Sequence, residues 1–151
     1  MSNSRCAVFG AATLLLALSA IAGNADGHDA TGARHIGNAE LANESDGTNW
    51  PAYGRTFSES RYSPLNQINA GTVSRLGLAW SLDLDVTNSL TAPLEADGVI
   101  YLAAGYSIVH AVRATDGKLL WRYDPKVPAA SGQKLRAGWG VRGLALWHDK
   151  V

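Results

Sequence analysis

Four histidines and one cysteine are the side chains of this 151-residue sequence best suited to ligate a metal or act as a nucleophile, and their spacing argues against both. His28, His35, His110 and His148 are separated by intervals that match no ligand motif, so surface or turn positions are expected for them. Cys6 lies at the head of the apolar run that opens the chain. Everything after that run therefore lacks a thiolate nucleophile, a disulfide and a Cys-x-x-Cys-His site for attaching haem. Charge excludes a further class. With Arg5 subtracted from the 13 Lys+Arg, 12 cations face 13 Asp+Glu, which gives no field for nucleic acid or an acidic membrane surface.

The elements that could position any chemistry begin after a leader. "CAVFGAATLLLALSAIA" runs from Cys6 to Ala22 without a charged residue, Arg5 precedes it, and Ala20-Ile21-Ala22 supplies the small residues of a signal-peptidase site. Residues 1–22 are expected to be a secretory signal peptide, with an uncleaved anchor as the alternative. From Gly23 to Asn49 the composition turns to Gly, Ala, Asn, Asp and Ser, which predicts a flexible lead-in. In "NAGTVSRLG" either Asn69 or Thr72 is placed to cap one short helical turn ending near Gly77.

Beyond Gly77 the pattern is β. Leu78, Trp80, Leu82 and Leu84 fall on one face of an extended segment and Ser81, Asp83 and Asp85 on the other, as in a half-buried strand. Asp97-Gly98 separates two short apolar runs and suits a two-residue hairpin turn. Asp116-Gly117 repeats that device between strands expected around Ile108 to Val112 and Leu119 to Tyr123. Short strands on short turns predict an all-β meander. An internal echo accompanies it: "LGLAWSLD" and "GKLLWRYD" align Trp80 with Trp121 at a spacing of 41 residues, inside the period of ~40–50 residues usual for propeller blades. Two unrelated strands that each use a tryptophan would give the same echo.

"AVRATDGKLLW", Ala111 to Trp121, resembles the tryptophan-docking motif of the propeller enzymes that use pyrroloquinoline quinone (PQQ), Ala-x-Asp-Ala-x-Thr-Gly-Lys-x-x-Trp. Ala111, Ala114, Gly117, Lys118 and Trp121 are kept, while Arg113 and Asp116 stand where that family prefers Asp and Thr. "NWPAYGRTFSESRYSPLNQINAGTVSRLGLAWSLDLD" is similar, almost position for position, to the segment that precedes the first blade in PQQ-dependent alcohol dehydrogenases. "DGVIYLAAGYSIVHAV" and "WRYDPKVP" extend the likeness, so that it covers roughly Asn49 to Val151. The resemblance implies the first blade, with flanking strands, of an eight-bladed β-propeller, incomplete here. It also implies that the rings of Trp50, Tyr53 and Tyr62 anchor an irregular path across the blades.

The same resemblance implies an exported oxidoreductase that oxidises alcohols or polyols by hydride transfer to PQQ, with a cytochrome c or a membrane quinone as electron acceptor. A calcium or lanthanide ion would polarise the quinone and an aspartate would take the alcohol proton. Both belong to later blades, so neither a catalytic nor a metal-ligating residue is assigned here. "WGVRGLALW" resembles the family segment whose arginine approaches PQQ, which makes Arg142 a candidate cofactor ligand. A planar, always-charged guanidinium suits a carboxylate or quinone oxygen, though it also suits a surface ion pair.

Two departures qualify the likeness. Many of these enzymes carry an adjacent Cys-Cys disulfide ring over the quinone, and Arg136 and Ala137 occupy those positions. Trp139 is then the candidate to stack on the exposed face, with core packing as its other role. A family glutamate that bonds to the cofactor is replaced by Leu90. The sequence stops at "LALWHDKV", in mid-hairpin, so an amino-terminal piece of a longer periplasmic protein is expected. A non-catalytic propeller scaffold of the cell envelope is the alternative function.

Overall fold

The computed structural model describes residues 36–86, 91–135 and 140–151. Its centre is a four-stranded antiparallel meander of β1 (Leu94–Ala96), β2 (Val99–Ala103), β3 (Val109–Arg113) and β4 (Leu119–Tyr123), in the spatial order β1-β2-β3-β4. Asp97 and Gly98 join β1 to β2 with φ of 51° and 76°, the two left-handed residues that a tight primed turn requires, and Ala96 pairs directly with Val99. The second turn is longer than expected. Residues 114–117 form a four-residue loop, closed by the Gly117 N–H donating to the Arg113 carbonyl at 2.9 Å, with only Gly117 (φ 71°) among its four residues left-handed. Just before this loop the register shifts at Ala111/Val112, which sets Ala111 opposite Trp121 but Val112 opposite Leu119.

Alternation along the strands gives the sheet two different faces. On one, Leu94, Tyr101, Ala111 and Trp121 stand in one cross-strand row, and Tyr101 is fully buried with its ring 6.0 Å from the Trp121 indole. Ile36, Leu41 and Leu146 cover this face and complete the core. Ile36 and His148 form a backbone bridge, so two segments far apart in sequence meet over the same sheet. Residues 36–49 are therefore not the featureless lead-in expected. They hold α1 (Asn38–Ala42), whose first turn is tied by the Gly37 N–H to the Glu40 carboxylate at 2.8 Å and whose Leu41 enters the core. A single large apolar residue, Leu41, in a five-residue helix leaves no periodicity to read.

Residues 80–86 cross the other face. Trp80, Leu82, Leu84 and Val86 are half-buried and Ser81, Asp83 and Asp85 exposed, as the alternation predicts, but Leu78, expected on the same face as Trp80, is 85% exposed, and this segment joins no strand ladder among the described residues. Side chains hold it instead. The Trp80 Nε1–H donates to the Ala114 carbonyl at 2.9 Å, and the indole rests on Gly117, where a Cβ would lie 2.5 Å from Cε3. Farther along, Asp85 pairs with Arg122 at 3.1 Å. The echo between Trp80 and Trp121 thus has a structural meaning: the first indole docks on the Gly-containing loop that precedes the second.

Among the described residues the approach to this segment is held by Arg55. Tyr53 and Tyr62 are 56% and 69% exposed, and Tyr53 serves as the platform for the Arg61 guanidinium, 4.5 Å from its centroid. Trp50 contributes through its backbone, exchanging two 2.9 Å hydrogen bonds with Glu95 of β1. Arg55, 2% exposed, donates to the carbonyls of Tyr62 (2.6 Å), Asp46 (2.7 Å) and Glu44 (2.9 Å) and to the Glu44 carboxylate (3.1 Å). One guanidinium satisfies three backbone acceptors from two stretches of chain, which is why this path needs no regular structure. The expected short turn is present as a 3₁₀ turn over Val73–Arg75, with the Asn69 side chain accepting from the Gly71 N–H at 2.9 Å.

Candidate cofactor-facing end of the sheet

β2 and β4 both run toward one end of the sheet, where the chain turns through Ala104–Ile108 into β3 and leaves β4 beyond Tyr123. The turn after β2 is closed by the Ala104 N–H donating to the Ile108 carbonyl at 2.7 Å, and it carries two consecutive left-handed non-glycine residues, Tyr106 (φ 59°) and Ser107 (φ 60°). Beyond β4, Lys126 is also left-handed (φ 55°) and opens α2 (Val127–Ser131), which has Pro128 in its first turn.

A band of alternating charge crosses this end. Asp85, Arg122, Asp124 and Lys126 follow one another at 3.1, 3.3 and 2.8 Å. Hydrogen bonds from the Lys126 ammonium and from its backbone N–H hold the Asp124 carboxyl down to about 2. Each cation in the band already has a carboxylate partner. An open hollow of about 330 Å³ lies beside it, lined by Val86, Tyr106, Ile108, Arg122, Lys126 and Pro128 among others.

Arg142 reaches the same end by a different route. Gly140 passes so close to the turn after β2 that a Cβ there would lie 2.6 Å from the Ser107 nitrogen, and the Val141 N–H then donates to the Ser107 hydroxyl at 3.0 Å. Arg142 follows, exposed and engaged by no hydrogen bond or ion pair among the described residues. It is a cation held near the sheet end with its donors uncommitted, unlike Arg122 and Lys126. The other candidate, Trp139, and the departures at Leu90, Arg136 and Ala137 lie outside the described residues. Ser107 carried no signal in the sequence, whereas Gly140, between Trp139 and Val141, could have suggested a close backbone approach.

The histidines divide. His148 is exposed and lies edge-on to Trp147, while His28 and His35 fall outside the described residues. His110 is not a surface or turn residue: it is 3% exposed, in β3 between Leu102 and Arg122, because the strand's alternation turns it under the crossing segment. Its Nε2 stands 3.8 Å from Asp85, and its Nδ1 has no hydrogen-bond partner among the described residues. No group of three His, Cys, Asp or Glu among the described residues is arranged to hold a metal ion.

A family model described as "PQQ: Glucose/ethanol/alcohol dehydrogenase, beta-propeller domain" matches residues 50–151. The chain belongs to this family. Its meander is accordingly part of a β-propeller, and the PQQ family is the one its sequence resembled. The quinohemoprotein alcohol dehydrogenase ADH IIB of Pseudomonas putida is 50% identical over 111 residues, covering 73% of this chain and 16% of that protein. The dehydrogenase subunit of the alcohol dehydrogenase (quinone) of Komagataeibacter europaeus is 45% identical over 141 residues, 93% of this chain and 18% of that protein. Among solved structures, the quinohemoprotein alcohol dehydrogenase of Comamonas testosteroni superposes with a TM-score of 0.69 at 36% identity, over 79% of this chain and 18% of that one. The chain thus spans less than one fifth of the length of these relatives.

PQQ is a flat ortho-quinone with three carboxylates, so a site for it needs cations with free donors and planar apolar groups. Arg142 fits the first requirement, because its guanidinium is exposed and engaged by no partner among the described residues.

Proposed function

We propose that this chain supplies the approach segment, the closing strand of the last blade and the first blade of an eight-bladed propeller in an exported, PQQ-dependent alcohol or polyol dehydrogenase. Residues 80–86 are the closing strand: they lie extended against the first blade while their own ladder partners come from the other end of a longer protein. Support for the activity comes from relatives whose names specify quinone-linked alcohol oxidation, and one is described as a 1-butanol dehydrogenase (cytochrome c). A cytochrome c or a membrane quinone is the electron acceptor that follows from this reading. The apolar leader, residues 6–22, directs the protein to the periplasm.

When bound, PQQ supplies the two-electron acceptor, with a calcium or lanthanide ion held by residues of later blades. Within this chain Arg142 binds a carboxylate or quinone oxygen through paired N–H donors, and Trp139 offers a plane for the ring system. The observation that carries the assignment is the exposed, uncommitted guanidinium of Arg142 beside the turn after β2. The test is dye-linked alcohol oxidation by the full-length enzyme, with PQQ and calcium or lanthanide added separately and together. Activity that needs both, and PQQ affinity reduced about 10- to 100-fold by Arg142→Gln, is the expected result. No oxidation under any of these conditions, in a folded protein, would leave a propeller that serves only as a scaffold.

A further inference from the structure

Two adjacent non-glycine residues in the left-handed region, Tyr106 and Ser107, are a costly way to turn between β2 and β3. Each such residue is disfavoured for an L-amino acid with a Cβ and persists where surrounding contacts over-determine it. Those contacts are present. The turn is closed by the Ala104–Ile108 and Ile108–Gly105 backbone hydrogen bonds, and its outer side lies against Gly140, where a side chain would collide with the Ser107 backbone. What the strained bend achieves is a hydroxyl aimed out of its own strand pair: Ser107 Oγ accepts from the Val141 N–H at 3.0 Å, across 34 residues of sequence.

That bond fixes the backbone one residue before Arg142. An arginine emerging from an untethered loop loses both backbone and side-chain freedom when it binds an anion. A tether at Val141 settles part of that loss during folding and sets the direction in which the guanidinium leaves the chain. We propose that Ser107 is a positioning residue for Arg142, acting through the Val141 amide to present the guanidinium to a carboxylate of the quinone. The proposal rests on the reading of Arg142 given above.

The experiment is PQQ titration of the full-length apoenzyme, followed by the absorbance of the bound quinone, for Ser107→Ala, Ser107→Gly, Arg142→Gln and the Ser107→Ala/Arg142→Gln double variant. Ser107→Ala is expected to raise the PQQ Kd about 3- to 10-fold, the consequence of one lost hydrogen bond at a partly exposed site. Ser107→Gly relieves the left-handed strain while removing the hydroxyl, so a matching rise with an undiminished thermal transition separates lost positioning from misfolding. In the Arg142→Gln background Ser107→Ala should change the Kd by less than about 2-fold, because the group it serves is gone. Ser107→Asn, which tolerates a positive φ and retains an acceptor, should recover part of the affinity. Wild-type affinity in Ser107→Ala, or losses that multiply in the double variant, overturns the proposal while leaving Arg142 as a ligand. Unchanged affinity in Arg142→Gln overturns both.

Discussion

His110 is a buried titratable group facing a charged band, with Asp85 and Arg122 as its nearest ionic neighbours. Burial is the main cause that holds its pKa below the usual imidazole value; Asp85 opposes the shift and Arg122 reinforces it. The sign follows from linkage. Between the ordinary value near 6.5 and the lower folded value the unfolded chain binds more protons, so stability falls as pH drops through that window. The denaturation midpoint of the full-length enzyme is expected to decline from about pH 7 to pH 5, and His110→Gln should flatten that slope. An equal slope in both proteins would show that the His110 pKa does not differ between the folded and unfolded states. Neither His110 nor Arg55 was legible beforehand, for related reasons. His110 belongs to the polar side of no simple alternation, since a second layer covers that face of β3. Arg55 works by bonding backbone carbonyls, and carbonyls leave no trace in a residue pattern.

At the scale of elements, local rules were enough wherever local geometry decides. Asp97-Gly98 predicted a two-residue turn and both residues are left-handed; Leu119–Tyr123 forms a strand with the expected bounds. The four-residue loop at 114–117 escaped because its length is set by how β3 and β4 pair, a property of two strands together. Residues 78–85 showed their alternation but not what holds them, since Trp80 is fixed by a loop 34 residues away. Gly117 is the critical position of that contact, left-handed and in touch with the indole. Gly117→Ala combines a φ penalty with overpacking and is expected to destabilise the four-stranded sheet by about 2–4 kcal/mol. A lowered denaturation midpoint with red-shifted tryptophan emission is the expected readout. An unaltered midpoint would mean that Trp80 does not rest on this glycine.

At the scale of the molecule, Phe57, Leu65, Ile68, Leu76 and Leu78 are each more than half exposed, and Leu78 reaches 85%. One four-stranded sheet with this much uncovered apolar surface and a free edge at β4 is a unit that draws its stability from neighbours. Residues 23–151 produced alone are therefore expected to be poorly folded and inactive. Cooperative urea unfolding together with tight, calcium-dependent quinone binding by that piece would refute this. The crossing segment adds an asymmetry of its own. Its Trp80 end is bound by a half-buried ring and a neutral hydrogen bond, whereas its Asp85 end is bound by an exposed ion pair. Salt screens the second grip and spares the first. Rising ionic strength should peel this strip from one side only, like a flap on a hinge, loosening the Asp85 end while Trp80 still keeps its place.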